Sequence, residues 1–368
     1  MNYTDQGFPL IKYCPNSSYR EWGLQHGESY RQGIQELIEI RKKLMIEKKP
    51  NIQKHFEYLA NQQWKVSEEF APDICQELKG ISDGANVSLT DIIILNNYTD
   101  FRDIPLPDEG CSTIHINSDS SIAGQTWDMH GSAKNYLCLI DVPEHNNNPG
   151  SICFSLVGCV GMMGINTHNL MIGVNNINTT NAKAGVIWPV LIRKVLLEKQ
   201  FNQFRNKLIN SPVTSGHNYL ISTTGAGEHW EITPTEKECV AQLSDNSPGH
   251  IFHTNHCLGT RIIPLEDNLS VNSTTKVRYE ILDKNLKNTK NLNDLEQILK
   301  SHENFPKSIC SHFESNTQDP SFTCGGGIVD FNDNQYYFWR GCQEYDKNFV
   351  DYRFSLQNKG KINYFSKE

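Results

Sequence analysis

The chain has 368 residues, of which 38% are hydrophobic and 21% are charged, and its formal net charge is −8. This composition excludes a disordered, collagen-like or coiled-coil protein, and the acidic excess argues against electrostatic binding of nucleic acid. The length is ample for a large core and, at roughly 150 residues per domain, fits one domain or two.

Targeting signals and cysteine usage narrow the protein class further. No window holds the roughly 18 uninterrupted apolar residues of a membrane span, and the N-terminal residues lack the basic and apolar regions of a signal peptide. We therefore expect a cytoplasmic protein with no membrane partner. The 11 cysteines are scattered without a CxxC pair, so most are expected to be buried side chains rather than zinc or disulfide ligands.

Residues 1–100 have the pattern of a helical block. Apolar residues recur at helical spacing from Ile34 to Met45, a second run extends from about Ile52 to Phe70, and a third ends at Gly84. Ser88-Leu-Thr-Asp91 has the form of a capping box and predicts the start of another helix.

From residue 111 onward the chain changes to short segments rich in β-branched and aromatic residues, separated by turns. Amphipathic patterns after Pro189, after Ser273 and over residues 292–302 predict helices between these strands. The last stretch predicts a hairpin that turns at Asn332-Asp333-Asn334. A helical block followed by strands predicts an α+β fold with antiparallel sheets rather than alternating βαβ units.

The junction between the two blocks is the first candidate site. Residues 103–110 form a Pro/Asp/Gly loop, and Cys111 follows Gly110 at the start of the first predicted strand. Loops often deliver reactive side chains onto a rigid scaffold. The dipeptide alone is equally compatible with one more buried thiol.

Four motifs occur in order along the chain: GCST from Gly110, GQTWD from Gly124, GVN from Gly173 and HTNH from His253. Together they resemble the N-terminal nucleophile (Ntn) hydrolases, and within them the acyl-CoA:6-aminopenicillanic acid acyltransferase family, whose relatives include amide hydrolases. The resemblance covers nearly the whole chain, including the segment around Arg278. It implies one domain over residues 1–368 with a four-layer αββα sandwich of two antiparallel sheets.

The resemblance also implies a reaction. The chain would cut itself between Gly110 and Cys111, and the helical residues 1–110 would stay associated with the β-rich residues 111–368. Cys111 would then supply the nucleophilic thiol and a free α-amine, whose ordinary pKa of about 7.7–8.0 suits a base near neutral pH. The expected activity is cleavage or formation of a linear amide through a cysteine thioester, with an N-acyl amine or acyl-CoA substrate. No metal or organic cofactor is expected, although a coenzyme A thioester is a possible acyl donor.

Supporting residues are carried over from the family one by one. Asp128 in GQTWD matches the aspartate beside the α-amine, and Asn255 in HTNH matches an amide that donates to the oxyanion. Asn175 in GVN matches a residue that shapes the oxyanion hole, although the adjacent Asn176 leaves the register open. Arg340 is the candidate for the family's C-terminal arginine.

Two other classes of function remain open. His253 and His256 suggest a metal-dependent hydrolase, but residues three apart on a strand face opposite sides, so only a turn would bring both to one ion. A catalytically silent binding protein is the second alternative, against which the presence of Cys111 and its partners argues. Gln125 stands where the bile-salt hydrolase branch usually has arginine, which favours the penicillin-acyltransferase-like branch.

Overall fold

The computed structural model describes residues 7–100, 110–244, 247–267, 273–311, 321–357 and 361–365, so most of the predicted loop before Gly110 lies outside the described residues. The helices in these ranges are α1 (Tyr19–Ser29), α2 (Arg31–Lys48), α3 (Phe56–Phe70), α4 (Pro72–Ala85), α5 (Leu89–Asn96), α6 (Trp188–Val195), α7 (Phe201–Ile209), α8 (Thr275–Asn285) and α9 (Leu292–Leu299). None of them combines the length and the apolar character that crossing a membrane requires.

The N-terminal block is helical, as predicted, and local signals set the helix ends. Ser18 caps α1 and forms a capping box with Glu21, and the Ser88 side chain accepts a hydrogen bond from the Asp91 amide at the start of α5. Asn86 ends α4 in the left-handed conformation, which asparagine adopts more readily than most residues. The predicted helix after Pro189 is shorter than expected, because α6 ends at Val195 and α7 is separate.

Helices α1 and α4 meet through glycines. A Cβ atom at Gly23 would lie 1.9 Å from the Glu77 carbonyl oxygen, and one at Gly80 would lie 2.1 Å from the Arg20 carbonyl oxygen. One turn further along each helix, a Cβ atom at Gly27 or at Gly84 would lie 2.5 or 2.3 Å from a carbonyl oxygen of the opposite helix. Only glycine permits this approach, which fixes how α4 enters the core.

The strands form two sheets. The first sheet has the order β1-β4-β5-β6-β7-β8-β9-β10 and the second has the order β11-β2-β3-β12-β13-β14-β15. The strands are β1 (Leu10–Lys12), β2 (Cys111–Asn117), β3 (Ser121–His130), β4 (Leu137–Val142), β5 (Ser151–Leu156), β6 (Met163–Asn166), β7 (Met171–Asn176), β8 (His217–Thr223), β9 (Ala226–Ile232), β10 (Lys237–Leu243), β11 (Gly249–His253), β12 (Ser321–Asp330), β13 (Gln335–Arg340), β14 (Val350–Gln357) and β15 (Lys361–Phe365).

The strand pairing confirms the predicted antiparallel character with one correction. Every neighbouring pair in the two sheets is antiparallel except β1 with β4, which is parallel. β1 also lies inside the block that the sequence pattern assigns to helices. The predicted final hairpin is confirmed, with its turn between β12 and β13 and Asn334 in the left-handed conformation.

The layers follow the expected αββα order. The two sheets face each other, and side chains of both contribute to one large apolar cluster. Helix α6 and the N-terminal helices add to this cluster from the outer face of the first sheet. Helices α8 and α9 cover the outer face of the second sheet through a separate cluster that includes Ile114, Ile116, Leu282, Leu295 and Leu299. The α+β sandwich expected for an Ntn hydrolase is thus confirmed.

Candidate active site

Cys111 is the first residue of β2 and pairs with Trp127 on β3. Alternation along β2 turns Cys111 and Thr113 towards the first sheet, whereas Ile114 faces the helices on the other side. The Cys111 thiol is buried and lies 4.0 Å from the Asp128 carbonyl oxygen. The cysteine is therefore held on a rigid strand between the sheets.

The backbone of Cys111 is gripped on both sides by side chains. Its amide nitrogen donates to Asn255 Oδ1 over 2.8 Å, and its carbonyl oxygen accepts from Arg278 Nη1 over 2.6 Å. The same guanidinium donates to Asn255 Oδ1 (2.8 Å) and to Ser112 Oγ (3.1 Å). Two donors converge on Asn255 Oδ1, which fixes the orientation of that amide.

Asn255 is thus at the site, but in an arrangement that differs from the expected one. The sequence-based expectation makes its amide group an oxyanion donor. In the structure the Nδ2 atom donates to the Asn176 carbonyl oxygen over 2.9 Å, and the oxygen atom holds the Cys111 nitrogen. Asn255 acts here mainly as an acceptor that positions the residue to which it is bound.

Asp128 lines the cleft, and its carboxylate also lies beside Gly110. A Cβ atom at Gly110 would lie 2.5 Å from Asp128 Oδ2 and 3.2 Å from Arg278 Nη2. Any larger residue at position 110 would therefore displace the carboxylate. The structure brings the Gly110–Cys111 peptide between an anionic and a cationic side chain.

The two neighbouring asparagines of β7 have different surroundings. The Asn175 side chain is buried between the sheets, where Oδ1 accepts from Thr113 Oγ1 and from Asn218 Nδ2, each over 2.6 Å. Its Nδ2 atom has no acceptor among the described residues. Asn176 lines the cleft next to Cys111 and supplies the carbonyl that binds Asn255. Asn175 therefore lies against Thr113 on β2, and Asn176 lies at the cleft itself.

The arginine on Cys111 is Arg278, in the first turn of α8. Arg340 ends β13 and is buried, with its guanidinium donating to the carbonyl oxygens of Gly7 (2.6 Å) and Asn348 (2.8 Å). These contacts tie the N-terminal segment to the loop after β13. The catalytic role of Arg340 stays a prediction, whereas Arg278 entered the sequence analysis only as a landmark of the resemblance.

Gln125 joins the two sheets next to the site. Its side-chain amide donates to the Val174 carbonyl over 2.6 Å and accepts from the Val174 amide over 2.8 Å. A glutamine side chain can thereby replace a strand neighbour, which an arginine cannot do because it has no acceptor. Gln125 therefore fixes the position of β7 against β3.

A cleft opens beside Cys111. Trp127, Met129, Val174 and Trp188 form much of its wall, and the two indole rings stack with centroids 5.7 Å apart. Arg41 lies at the same cleft and is otherwise buried. The walls are suited to an apolar or aromatic group bound next to the thiol.

His253 and His256 lie close together, because the turn after β11 brings their ring centroids to 6.4 Å. Both nitrogens of His253 face acceptors, Thr254 O at 2.6 Å and Glu231 Oε1 at 2.8 Å. Burial lowers the pKa of His256 to about 4, and its Nδ1 atom bonds Thr275 Oγ1. Among the described residues, no group of three ligating side chains includes either histidine. The metal-site alternative is not supported here.

Comparison with known proteins assigns the chain to a family. The family model for acyl-coenzyme A:6-aminopenicillanic acid acyl-transferase matches residues 116–324, more than half of the chain. A curated relative, the 40 kDa form of acyl-coenzyme A:6-aminopenicillanic-acid-acyltransferase from Emericella nidulans, is 23% identical over 305 residues, covering 80% of this chain and 82% of the relative. The family match includes the positions of Asp128, Asn175, Asn255 and Arg278 and begins shortly after Cys111.

Solved structures are also similar in part. A mutant conjugated bile acid hydrolase from Clostridium perfringens has a TM-score of 0.42 at 11% identity, covering 70% of this chain and 97% of that one. The N-acylethanolamine-hydrolyzing acid amidase ortholog of Caenorhabditis elegans has a TM-score of 0.41 at 10% identity, with coverage of 60% and 92%. On the match of the family model, the chain belongs to the acyl-coenzyme A:6-aminopenicillanic acid acyl-transferase family and is an enzyme of amide hydrolysis or acyl transfer.

Proposed function

We propose that the chain is a self-processing cysteine amidohydrolase or N-acyltransferase, activated by cleavage of the Gly110–Cys111 bond. The observation that supports this most directly is the grip on Cys111, whose nitrogen is held by Asn255 and whose carbonyl is held by Arg278. A buried structural thiol has no need of two side chains fixed to its own backbone. A nucleophile whose amide nitrogen must become a positioned amine does.

In the proposed processing step, the Cys111 sulfur attacks the Gly110 carbonyl carbon. A C–S bond forms, the C–N bond breaks, and the Cys111 nitrogen takes up a proton to become an amine. Water then adds to the thioester, which releases the Gly110 carboxylate and returns a proton to sulfur. Glycine at position 110 suits this step because a side chain there would collide with the Asp128 carboxylate.

In the mature enzyme, the Cys111 α-amine is the base for its own thiol. An α-amine has an ordinary pKa of about 7.7–8.0, so a useful fraction is unprotonated near neutral pH. Asn255 Oδ1 would accept from the amine as it accepts from the amide, and Asp128 would orient the ammonium form that follows proton transfer. The thiolate attacks the substrate carbonyl, the amine leaving group departs, and water or another amine resolves the acyl-thioester.

Stabilisation of the oxyanion is assigned to the asparagine cluster. The Nδ2 atom of Asn175 is a buried donor with no acceptor among the described residues, so it is available to a developing negative charge. Asn255 Nδ2 is the second candidate, provided it gives up the Asn176 carbonyl. Neutral amide donors suit this task because they do not lose a proton with rising pH.

The cleft supports a substrate with an apolar or aromatic acyl group, linked to an amine or presented as a coenzyme A thioester. The stacked indoles of Trp127 and Trp188, together with Met129, would bury the acyl group. The proposed chemistry uses no metal or organic cofactor. Cytoplasmic location and lasting association of the two chains stay predictions.

The first experiment measures the intact mass of freshly purified protein. We expect two polypeptides, one ending at Gly110 and one beginning Cys-Ser-Thr. Active protein that remains a single uncut polypeptide would rule out the α-amine mechanism.

Turnover is then measured with a series of N-acyl amines and acyl-CoA thioesters. Cleaved protein without turnover on either class would favour the catalytically silent alternative. His256→Ala should retain turnover, because the mechanism gives this ring no part; a metal hydrolase built on His253 and His256 would lose it.

A further inference from the structure

A second cluster of reactive side chains lies outside the cleft. His302 follows α9, Cys310 lies in the segment before β12, and Cys342 follows β13. One ligand atom from each of the three lies within 4.8 Å of the others, and among the described residues this is the one such group of metal-ligating side chains. Both sulfurs are buried, whereas the His302 side chain is 14% exposed.

We propose that His302 Nε2 and the sulfurs of Cys310 and Cys342 bind a zinc ion. Zinc accepts two thiolates and one imidazole in a tetrahedral site, with water in the remaining position. Bonds of about 2.3 Å to sulfur and about 2.1 Å to nitrogen at a tetrahedral angle put these two ligand atoms about 3.6 Å apart. The distance between Cys342 Sγ and His302 Nε2 is 3.4 Å.

The imidazole is oriented for this role by a carboxylate. His302 Nδ1 lies 3.3 Å from Glu344 Oε2, a contact that favours the tautomer with the proton on Nδ1 and leaves Nε2 as the atom beside Cys342. Histidines that bind zinc usually have such a carboxylate or carbonyl on the other ring nitrogen. The ring also packs edge-on to Tyr345, with centroids 5.0 Å apart, which limits its rotation.

Charge balance favours an ion of charge two. Binding converts two thiols to thiolates and releases two protons, so that Zn²⁺ and the two sulfurs form a neutral group. A neutral group can be buried at much lower cost than an isolated charge.

The cluster lies outside the cleft, so the ion would support the fold and take no part in the reaction proposed for Cys111. It would join the segment that contains Cys310 to the loop after β13. Ser311 in turn binds Thr323 through two hydrogen bonds of 2.7 and 2.8 Å, and Thr323 pairs with Asp128 across β12 and β3. The ion would therefore hold the strand that supports Asp128, independently of the reaction proposed for Cys111.

The test measures zinc in the full-length protein, purified without a histidine tag from cells grown with added zinc. We expect about one zinc per chain in the wild type. Cys342→Ala and Cys310→Ala should each reduce it to background, whereas Cys138→Ala, a fully buried thiol of β4, should retain it. Cys111→Ala should also retain zinc, which separates this site from the proposed active centre.

If a cysteine variant does not fold, a measurement on the wild type tests the site instead. Cobalt(II) added to metal-free wild type should give thiolate-to-cobalt charge transfer and the intense visible bands of a tetrahedral site. Zinc that persists in both cysteine variants would place the ion elsewhere and overturn the proposal. So would wild type that holds no zinc and gives no cobalt spectrum, or freshly isolated protein with a Cys310–Cys342 disulfide.

Discussion

Two buried arginines, Arg193 on α6 and Arg278 on α8, differ in what their guanidinium groups bind. Each is 1% exposed. Arg193 binds both oxygens of the Glu77 carboxylate, at 3.1 and 3.0 Å, and the Val160 carbonyl at 2.8 Å. The described contacts of Arg278 at Cys111 are with a backbone carbonyl, a hydroxyl and an amide oxygen.

The difference separates framework from site. Burial alone would lower the pKa of Arg193, but the Glu77 carboxylate raises it above the ordinary value. The charge of Arg193 is therefore already matched by a carboxylate. Arg278 instead donates to the Cys111 carbonyl, the Ser112 hydroxyl and the Asn255 amide oxygen, next to the peptide that is expected to break. A cation held next to the reacting peptide can stabilise negative charge that develops there during the reaction.

The largest expected effect is at the site, with Cys111→Ala. Without the thiol, neither self-cleavage nor thioester formation is possible, so we expect one uncut chain and no measurable turnover. Stability should change little, because the strand pairing of β2 is kept. Mass spectrometry and an amidase assay provide the measurement, and Cys153→Ala, a buried thiol of β5, is the matched control. A cleaved Cys111→Ala protein would contradict the assignment of the nucleophile.

Glu77→Gln tests the contribution of the Arg193 ion pair to stability, because it leaves Arg193 buried without its carboxylate. Removal of one partner of a buried ion pair typically costs about 3–5 kcal/mol. Asp83→Asn lies on the same helix but removes an exposed pair with Arg20, which should cost about 1 kcal/mol or less. Urea unfolding of the two variants gives the comparison. Equal midpoints would show that the Arg193 pair does not stabilise the framework as described.

Asn255→Ala sharpens the comparison by removing an acceptor of Arg278 while leaving its charge. We expect kcat to fall about 10²–10³-fold, equivalent to roughly 3–4 kcal/mol, with the fold retained. Asn166→Ala is the control, because it removes a buried amide that donates to the Leu196 carbonyl away from the site. It should lower stability but leave the kcat of the folded protein unchanged. Steady-state kinetics of both variants decide, and a kcat for Asn255→Ala within a few-fold of wild type would remove it from the reaction.

Local signals in the sequence were sufficient for much of the fold. The Ser88 cap, the helical spacing and the hairpin turn at Asn332–Asn334 each depend on neighbours along the chain, and each is confirmed. β1 depends instead on pairing with β4 far along the chain, and three residues carry no periodicity that predicts it. The glycine pairs of α1 and α4 were visible as a spacing of four, but their meaning depends on which helices meet.

The site shows the same division. The order of the motifs was enough to direct attention to Cys111, Asp128 and Asn255, which the structure brings together. It was not enough to choose between arginines, because Arg278 reaches Cys111 across 167 positions through the packing of α8 on the outer face of the second sheet. The orientation of the Asn255 amide likewise depends on Arg278 and Asn176, neither of which is predicted by the HTNH motif.

The smallest expected effect is the contribution of His26, in the network around Glu77, to the pH dependence of stability. His26 is fully buried and accepts from the Gly158 amide over 3.0 Å through Nε2, while Nδ1 lies 3.1 Å from the Tyr13 hydroxyl. Tyr13 donates to Glu77, which binds Arg193, so His26 faces a chain of groups that already includes a cation. Burial, and then the charge of Arg193, lower the pKa of His26 from 6.5 to about 3.

The sign of the pH effect follows from this shift. His26 stays neutral in the folded protein, whereas in the unfolded chain it binds a proton below pH 6.5. Its contribution to stability is therefore complete above that pH and is lost as the pH falls towards about 3. His26→Gln keeps an acceptor and a donor but cannot titrate, so the free energy of unfolding should fall less steeply with acid, by about 1.4 kcal/mol per pH unit. Urea unfolding of both proteins between pH 4 and 6 measures how steeply the free energy of unfolding changes with pH. Parallel curves for wild type and variant would mean that His26 binds its proton in the folded state as readily as in the unfolded chain.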